Sequence, residues 1–264
     1  MMTDQKTLSG WALILGASSG FGAATSRALA RAGMDVVGVH LDLKKTMPWA
    51  QAVQADVEAA SQRAIFVNMN AADDGKRAKL IERLNAEGIQ VNVLLHSLAF
   101  GSLLPMAADT AEESLTRKQI EMTQDVMANS LIYWVQDLVW NDLFADDARV
   151  FSMTSEGSHR AMLIYGAVGG AKALLESYTR QLAVELAPRN IKFNAIQAGV
   201  TDTPALRAIP GHEEAMEMTL RRNPYKRMTV PEDVANAIVT FSHPDVAWMT
   251  GNVIRVDGGE DVAI

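Results

Sequence analysis

Tyr165 is followed seven residues later by Lys172. A phenol can give a proton or a hydrogen bond to an oxygen that gains negative charge. An ammonium beside it favours the phenolate and draws a pKa of ~10 towards working pH. Residues seven apart on a helix lie ~20° apart around the axis and ~10 Å along it, so both can face one pocket. Far upstream stands Gly16-Ala17-Ser18-Ser19-Gly20-Phe21-Gly22. Glycine torsions there would reverse the chain, and bare backbone would let a pyrophosphate rest on a helix N-terminus. The Gly-x3-Gly-x-Gly spacing differs from the commoner Gly-x-Gly-x2-Gly. Its position between a first strand and a first helix gives it meaning as a dinucleotide loop. The two features together predict hydride transfer from a nicotinamide beside a proton-donating phenol.

The elements that must position these residues alternate apolar runs with helical patterns, which predicts an α/β doubly wound (Rossmann) parallel sheet with helices on both faces. Seven strands are expected, over Trp11–Leu15, Val36–Leu41, Ala64–Met69, Val91–His96, Val150–Ser155, Lys192–Gln197 and Val253–Val256. A helix over Ala23–Ala32 should stop at Gly33 in a left-handed cap. With no internal repeat and no linker composition, residues 1–264 read as one domain. The extended insertion Pro204–Pro231 follows a strand C-terminus, where doubly wound sheets bind ligands, and reads as a lid or substrate loop.

Composition narrows the partners. The chain has 48% hydrophobic and 21% charged residues, enough to bury a full core. Its net charge of −7 argues against nucleic acid. The absence of cysteine excludes disulfides, thiolate-bound zinc and a thiol nucleophile. No His, Asp and Glu group has metal-ligand spacing, so no metal is expected. No apolar run approaches the ~18 residues of a membrane span, and Met1–Gly10 lacks the pattern of a secretory leader. A cytoplasmic protein is the expectation.

The nucleotide's adenosine end is less sharply specified. Asp42 falls 20 residues after Gly22, where an acid accepts the ribose hydroxyls of NADH and repels the 2′-phosphate of NADPH. Lys44 and Lys45 follow at once and could bind that phosphate, with His40 assisting. NADH is favoured and NADPH stays open.

The glycine loop, Asn129, a serine-rich fifth strand, the Tyr165/Lys172 pair and the terminal Val256-Asp257-Gly258-Gly259 together resemble the short-chain dehydrogenase/reductase family over essentially the whole chain. Most members place Tyr and Lys four residues apart. Tyr165-Gly166-Ala167-Val168-Gly169-Gly170-Ala171-Lys172 is instead similar to the enoyl-acyl-carrier-protein reductase branch, which has six residues between them. The interval from Lys172 to Asn194 fits the family, so the lysine has kept its place and the tyrosine has moved earlier. His96-Ser97-Leu98-Ala99-Phe100 resembles the His-Ser segment of that branch. The stretch from Leu174 to Leu186 and the loop from Asp202 look most like an NADPH-linked enoyl reductase of some Gram-positive bacteria, which pulls against Asp42. The chain departs from that branch at Ser155, where a second tyrosine usually stands, and at Ala198-Gly199 in place of Pro-Gly.

The resemblance implies roles. Tyr165 would donate to a developing enolate, and Lys172 would supply charge and bind the nicotinamide ribose. Asn129 would hold a water behind the lysine. Ser155 would orient the carbonyl, in preference to Ser152, since residues three apart on a strand point to opposite faces. Gly16, Ser18, Ser19, Gly20, Phe21, Gly22, His96, Ser97, Gly199 and Thr203 would line the cofactor, and Asn70 would border the adenine. The implied reaction is reduction of an enoyl thioester, possibly on acyl carrier protein. A carbonyl reductase or alcohol dehydrogenase is the alternative, and a non-catalytic NAD(H)-binding module a third. Met216, Met218 and Met228 in the lid suit a flexible acyl chain. Arg207, Arg221, Arg222, Lys226 and Arg227 could steer an acidic carrier or be solvated charges. Members commonly form tetramers or dimers, and Tyr133, Trp134 and Trp140 could be apolar surface for that or core.

Overall fold

The computed structural model describes residues 7–263. The leader reading from Met1–Gly10 therefore rests largely on residues outside the described ones.

Seven parallel strands form one sheet in the order β3-β2-β1-β4-β5-β6-β7. They are β1 (Trp11–Leu15), β2 (Asp35–His40), β3 (Ala64–Asn68), β4 (Val91–His96), β5 (Phe144–Thr154), β6 (Lys192–Ala198) and β7 (Asn252–Val256). The helices are α1 (Gly20–Ala32), α2 (Met47–Ala59), α3 (Asp74–Ala86), α4 (Arg117–Gln124), α5 (Ser130–Trp140), α6 (Gly166–Glu185), α7 (Pro204–Arg207), α8 (His212–Arg222) and α9 (Pro231–Phe241).

Period-two alternation divides each central strand between two cores. Leu13 and Leu15 of β1 pack with Leu84 of α3, Trp134 of α5 and Leu175 of α6. Ala12 and Ile14 pack with Leu29 of α1, Val57 of α2 and Ile238 of α9 on the other face. Both faces being covered explains why the strands read as continuous apolar runs. The strand order reverses between β1 and β4, the switch point at whose carboxyl ends doubly wound sheets keep their ligand crevice.

Two elements differ from expectation by three residues or more. α1 begins at Gly20, ahead of Ala23, and ends where Gly33 takes φ 114°. β5 begins at Phe144, six residues before Val150. Its polar start is tolerated because buried Arg149 is neutralised by Asp147 at 2.6 Å. No helix among the described residues is long and apolar enough to cross a membrane.

Candidate active site

The glycine loop is shaped by close approach of backbone to backbone. Gly16 takes φ 93°, a conformation that disfavours any side chain. A methyl on it would overlap the Ser97 carbonyl, and one on Gly22 would overlap the carbonyl of Gly16. The N–H groups of Gly16 and Ala17 donate to Val39 O at 2.8 and 3.0 Å, fixing the loop to β2. Ser19 stands at the N-cap of α1, yet its side chain makes no capping bond. The first-turn N–H donors of α1 are therefore left for an anion, the requirement of a pyrophosphate site. Ser18, Ser19 and Phe21 are half-buried on the rim. Thr203 caps α7 by accepting from Leu206 N–H at 3.2 Å. Its methyl lies 3.4 Å from where a Gly20 side chain would begin, so the cap segment closes over the loop.

At the adenosine end, His40 Nδ1–H donates to Asp42 Oδ2 at 2.8 Å, and both side chains are buried. Asn68 accepts from Asp42 N–H and donates to Asp42 O, each at 2.9 Å. His40 is thus a partner of Asp42. Lys44 and Lys45 are exposed beyond it. Asn70 is exposed and closes a turn by accepting from Ala72 N–H at 3.0 Å. Gly199 is packed from the side by Thr229 and Glu260.

At the other end of the crevice, Tyr165 is the N-cap residue of α6. Its ring rests on the turn after β5: a side chain on Gly157 would begin 2.5 Å from Tyr165 Cε1. Gly169 presses on the same turn, its would-be methyl 2.5 Å from Gly157 O. Ser155 Oγ is buried without a hydrogen-bond partner and lies near the phenol, whose ionisation it eases. Ser152 points away and shares a hydrogen bond of 2.9 Å with Thr179 of α6. Lys172 is buried and donates from Nζ to Met153 O at 2.7 Å. Desolvation lowers its pKa to about 8, against the attraction of Glu176. Glu176 accepts from Thr154 Oγ1 at 2.6 Å.

One electrostatic expectation is corrected here. The phenol of Tyr165 is pushed up by burial, and the nearby carboxylate of Glu156 adds to the rise. Lys172 spends its Nζ on the Met153 carbonyl instead of the phenol. The free protein therefore holds Tyr165 as a neutral donor.

His96 ends β4, fully buried, with Nε2 2.8 Å from Ser130 Oγ. Ser130 gives its single proton to Val126 O at 2.7 Å. His96 must then donate from Nε2, which leaves Nδ1 a bare acceptor, buried and without a partner. Burial and the charge of Lys172 hold its pKa down at about 3, so it is neutral. Asn129 closes a wide π-turn over Asp125–Asn129 that joins α4 to α5. Its Oδ1 accepts from Tyr178 OH at 3.0 Å. Such turns recur where a helix must aim a functional side chain.

Ser130, Tyr178, Glu176 and Glu156 escaped the sequence reading. A serine beside Asn129 and an acid beside Ser155 were the available signals. Nothing in a sequence marks the carbonyl of Met153.

The cap over the crevice is α7 and α8. Its basic residues are engaged: Arg207 with Asp202 at 2.7 Å, Arg221 with Glu217 at 3.3 Å, and Arg227 with Asp233 at 2.6 Å. Arg222 contacts Glu156 at 2.7 Å, and Lys226 donates to Arg221 O at 2.8 Å. The four arginines are thus each paired with a neighbouring carboxylate, while Lys226 meets only a main-chain carbonyl. Met218 is exposed, while Met216 and Met228 are half-buried. Of the aromatic residues near Asn129, Trp134 is core and donates to Ala71 O at 2.9 Å. Tyr133 donates to Asp125 at 2.7 Å, and only Trp140 is largely exposed, at 71%. No group of three or more potential metal ligands occurs among the described residues.

A glycine loop at the switch point of a parallel sheet, facing a Ser, Tyr and Lys set at the carboxyl end of β5, defines a dinucleotide-binding oxidoreductase fold. Residues 16–260 match the family model described as enoyl-(acyl carrier protein) reductase. The chain belongs to the short-chain dehydrogenase/reductase family, in its enoyl-reductase-like group, and is a nicotinamide-dependent oxidoreductase. It is 30% identical to cis-4-hydroxycyclohexanecarboxylate dehydrogenase of Sinomonas cyclohexanicum, over 94% of this chain and 95% of that one. It is 26% identical to the NADH enoyl-acyl-carrier-protein reductase FabI of Enterococcus faecalis, over 77% and 80%. The crystal structure of FabI from Candidatus Liberibacter asiaticus superposes with a TM-score of 0.86 at 22% identity, covering 98% of both chains.

Proposed function

We propose that the protein reduces the double bond of an enoyl thioester with a nicotinamide cofactor. The observation that carries this is the position of Tyr165. It stands at the first turn of α6, seven residues before the lysine anchored on β5, so it is set back from the place a simple carbonyl requires. In an enoyl thioester the hydride is received at Cβ, while negative charge gathers on the conjugated oxygen some distance away. The glycine cradle, the uncapped start of α1 and the orphaned His96 Nδ1 and Ser155 Oγ fit a bound dinucleotide and substrate. The dinucleotide supplies the hydride when bound.

The chain's own residues do the rest. Tyr165, held neutral by burial, donates a hydrogen bond to the enolate oxygen as charge develops. Ser155 donates to the same oxygen or orients the phenol. Lys172 would hold the cofactor's ribose, and solvent would protonate Cα. Asp42, fixed by His40 and Asn68, favours the ribose hydroxyls of NADH. Exposed Trp140 and Val184 are the surface on which the expected self-association would rest.

Ser155 supports a second reading. A free serine hydroxyl near the phenol is what ketone reduction uses, and one relative is named as a hydroxycyclohexanecarboxylate dehydrogenase. The deciding experiment follows NADH and NADPH absorbance with crotonyl and acetoacetyl thioesters in parallel. Oxidation with the crotonyl thioester is expected. Oxidation with the acetoacetyl thioester alone transfers the assignment to a carbonyl reductase.

A further inference from the structure

The chain has no cysteine and 14 methionines, so its sulfur chemistry rests on thioethers alone. Among the described residues, the exposed methionines are Met106, Met162 and Met218, at 65%, 44% and 64% exposure. They lie in the loop after β4, the loop after β5 and helix α8, all segments that follow the carboxyl end of a strand. Met34, Met69, Met127 and Met153 are buried in the cores.

Two of the three exposed methionines press on glycines beside Tyr165. A side chain begun at Gly166, the first residue of α6, would lie 2.6 Å from both Cγ and Sδ of Met106. The Met106 thioether therefore rests on bare backbone one residue past the phenol. A side chain begun at Gly157 would lie 2.5 Å from Tyr165 Cε1 and 3.2 Å from Met162 Cε, so ring and methyl share one seat. The atoms nearest either glycine include none of Met218.

We propose that Met106 and Met162 are oxidation sites, whose conversion to the sulfoxide by hydrogen peroxide unseats Tyr165 and slows the enzyme. A lone pair on Sδ attacks one peroxide oxygen, and the S–O bond forms as the O–O bond breaks. The proton of the transferred oxygen passes to the departing hydroxide, which leaves as water. Sulfur loses two electrons and the peroxide gains them, with no cofactor taking part. The sulfoxide is polar, and the glycine Cα it rests on offers it no hydrogen-bond donor. It therefore turns to water and gives up its seat. The loop after β4 then loses its hold on the start of α6, and the Tyr165 ring loses its neighbour over Gly157. The effect on turnover rests on Tyr165 being the donor proposed above; the modification itself does not.

The test adds hydrogen peroxide in steps and follows each methionine by peptide mass spectrometry. Fluorotyrosine at position 165 reports the phenol's surroundings by fluorine NMR, without turnover. Met106, Met162 and Met218 should oxidise ahead of the buried methionines. The fluorine resonance should move as Met106 and Met162 convert, and kcat in thioester turnover should fall about tenfold. Methionine sulfoxide reductases for the two sulfoxide epimers should reverse both changes. The double variant Met106→Leu/Met162→Leu should hold its own resonance and rate through the same treatment. Met218→Leu should respond as the native chain does. A double variant that shifts and slows like the native chain overturns the proposal, as does a Met218→Leu chain that resists. A moved resonance in a protein that turns over no thioester supports the sites and sinks the reductase assignment instead.

Discussion

Lys172 is asked to be charged in a place that resists charge. Its ordinary value of 10.5 falls to about 8 because burial penalises the ammonium. The penalty is absent above 10.5, grows as pH falls, and is complete below about 8, where it reaches roughly 3 kcal/mol. Lys172→Met should therefore raise the unfolding free energy from urea titration at pH 7 by about 1–2 kcal/mol, since the lost bond to Met153 O offsets part of the gain. Turnover should fall about a hundredfold or more. A variant destabilised equally at pH 7 and pH 10 would show that the lysine is structural. Tyr165→Phe separates chemistry from binding in another way. The ring keeps its seat on Gly157, so the cofactor dissociation constant should hold while kcat drops about 10²–10³-fold. Unchanged turnover would remove the phenol from the mechanism. The residue types of this site were legible beforehand, because a phenol, an ammonium and a serine have few other reasons to share such spacing. Their electrostatics were not. The rise in the phenol's pKa comes from burial and from Glu156, and the lysine's partner is a main-chain carbonyl.

Between residue and molecule lies the contact of α6 with the turn after β5. Gly169 and Gly170 are neighbours in sequence with opposite surroundings. A methyl at 169 meets Gly157 O at 2.5 Å, whereas one at 170 meets nothing within 4 Å. Gly169→Ala should push the turn from the helix, cost about 1–3 kcal/mol and lower kcat about tenfold through a displaced Tyr165. Gly170→Ala should add about 1 kcal/mol of helix stability and leave kcat alone. Thermal unfolding and kcat on the pair measure both effects, and equal behaviour of the two variants would refute the close approach. Strand positions were readable from sequence because β1, β2 and β4 are covered on both faces. The start of β5 was hidden by Asp147 and Arg149, which meet each other and Lys192 only in three dimensions. The π-turn at Asp125–Asn129 left no trace in composition or periodicity.

For the whole molecule, the buried histidine sets a limit on acid stability. His96 has a folded value of about 3 against an ordinary 6.5, so its contribution is full above 6.5 and lost as pH falls through 3. His96→Asn, small enough to reach Ser130, should show a shallower fall in urea midpoint across that window than the native chain. An unchanged slope would assign acid unfolding to the carboxylates, of which Asp147 and Asp261 are each held down at about 2.

The wide turn before α5 also fixes a phase. It carries one residue more than an α-turn, and that residue sets the rotation of everything after it. Removing one residue between Asp125 and Asn129 would restore an ordinary helix with its main-chain bonds intact, yet would swing the following side chains by about 100°. Helix content would be untouched while the Tyr178 and His96 ends of the crevice lost their partners. Chain length at this point is therefore held as tightly as residue identity, in a stretch whose composition looks free to drift.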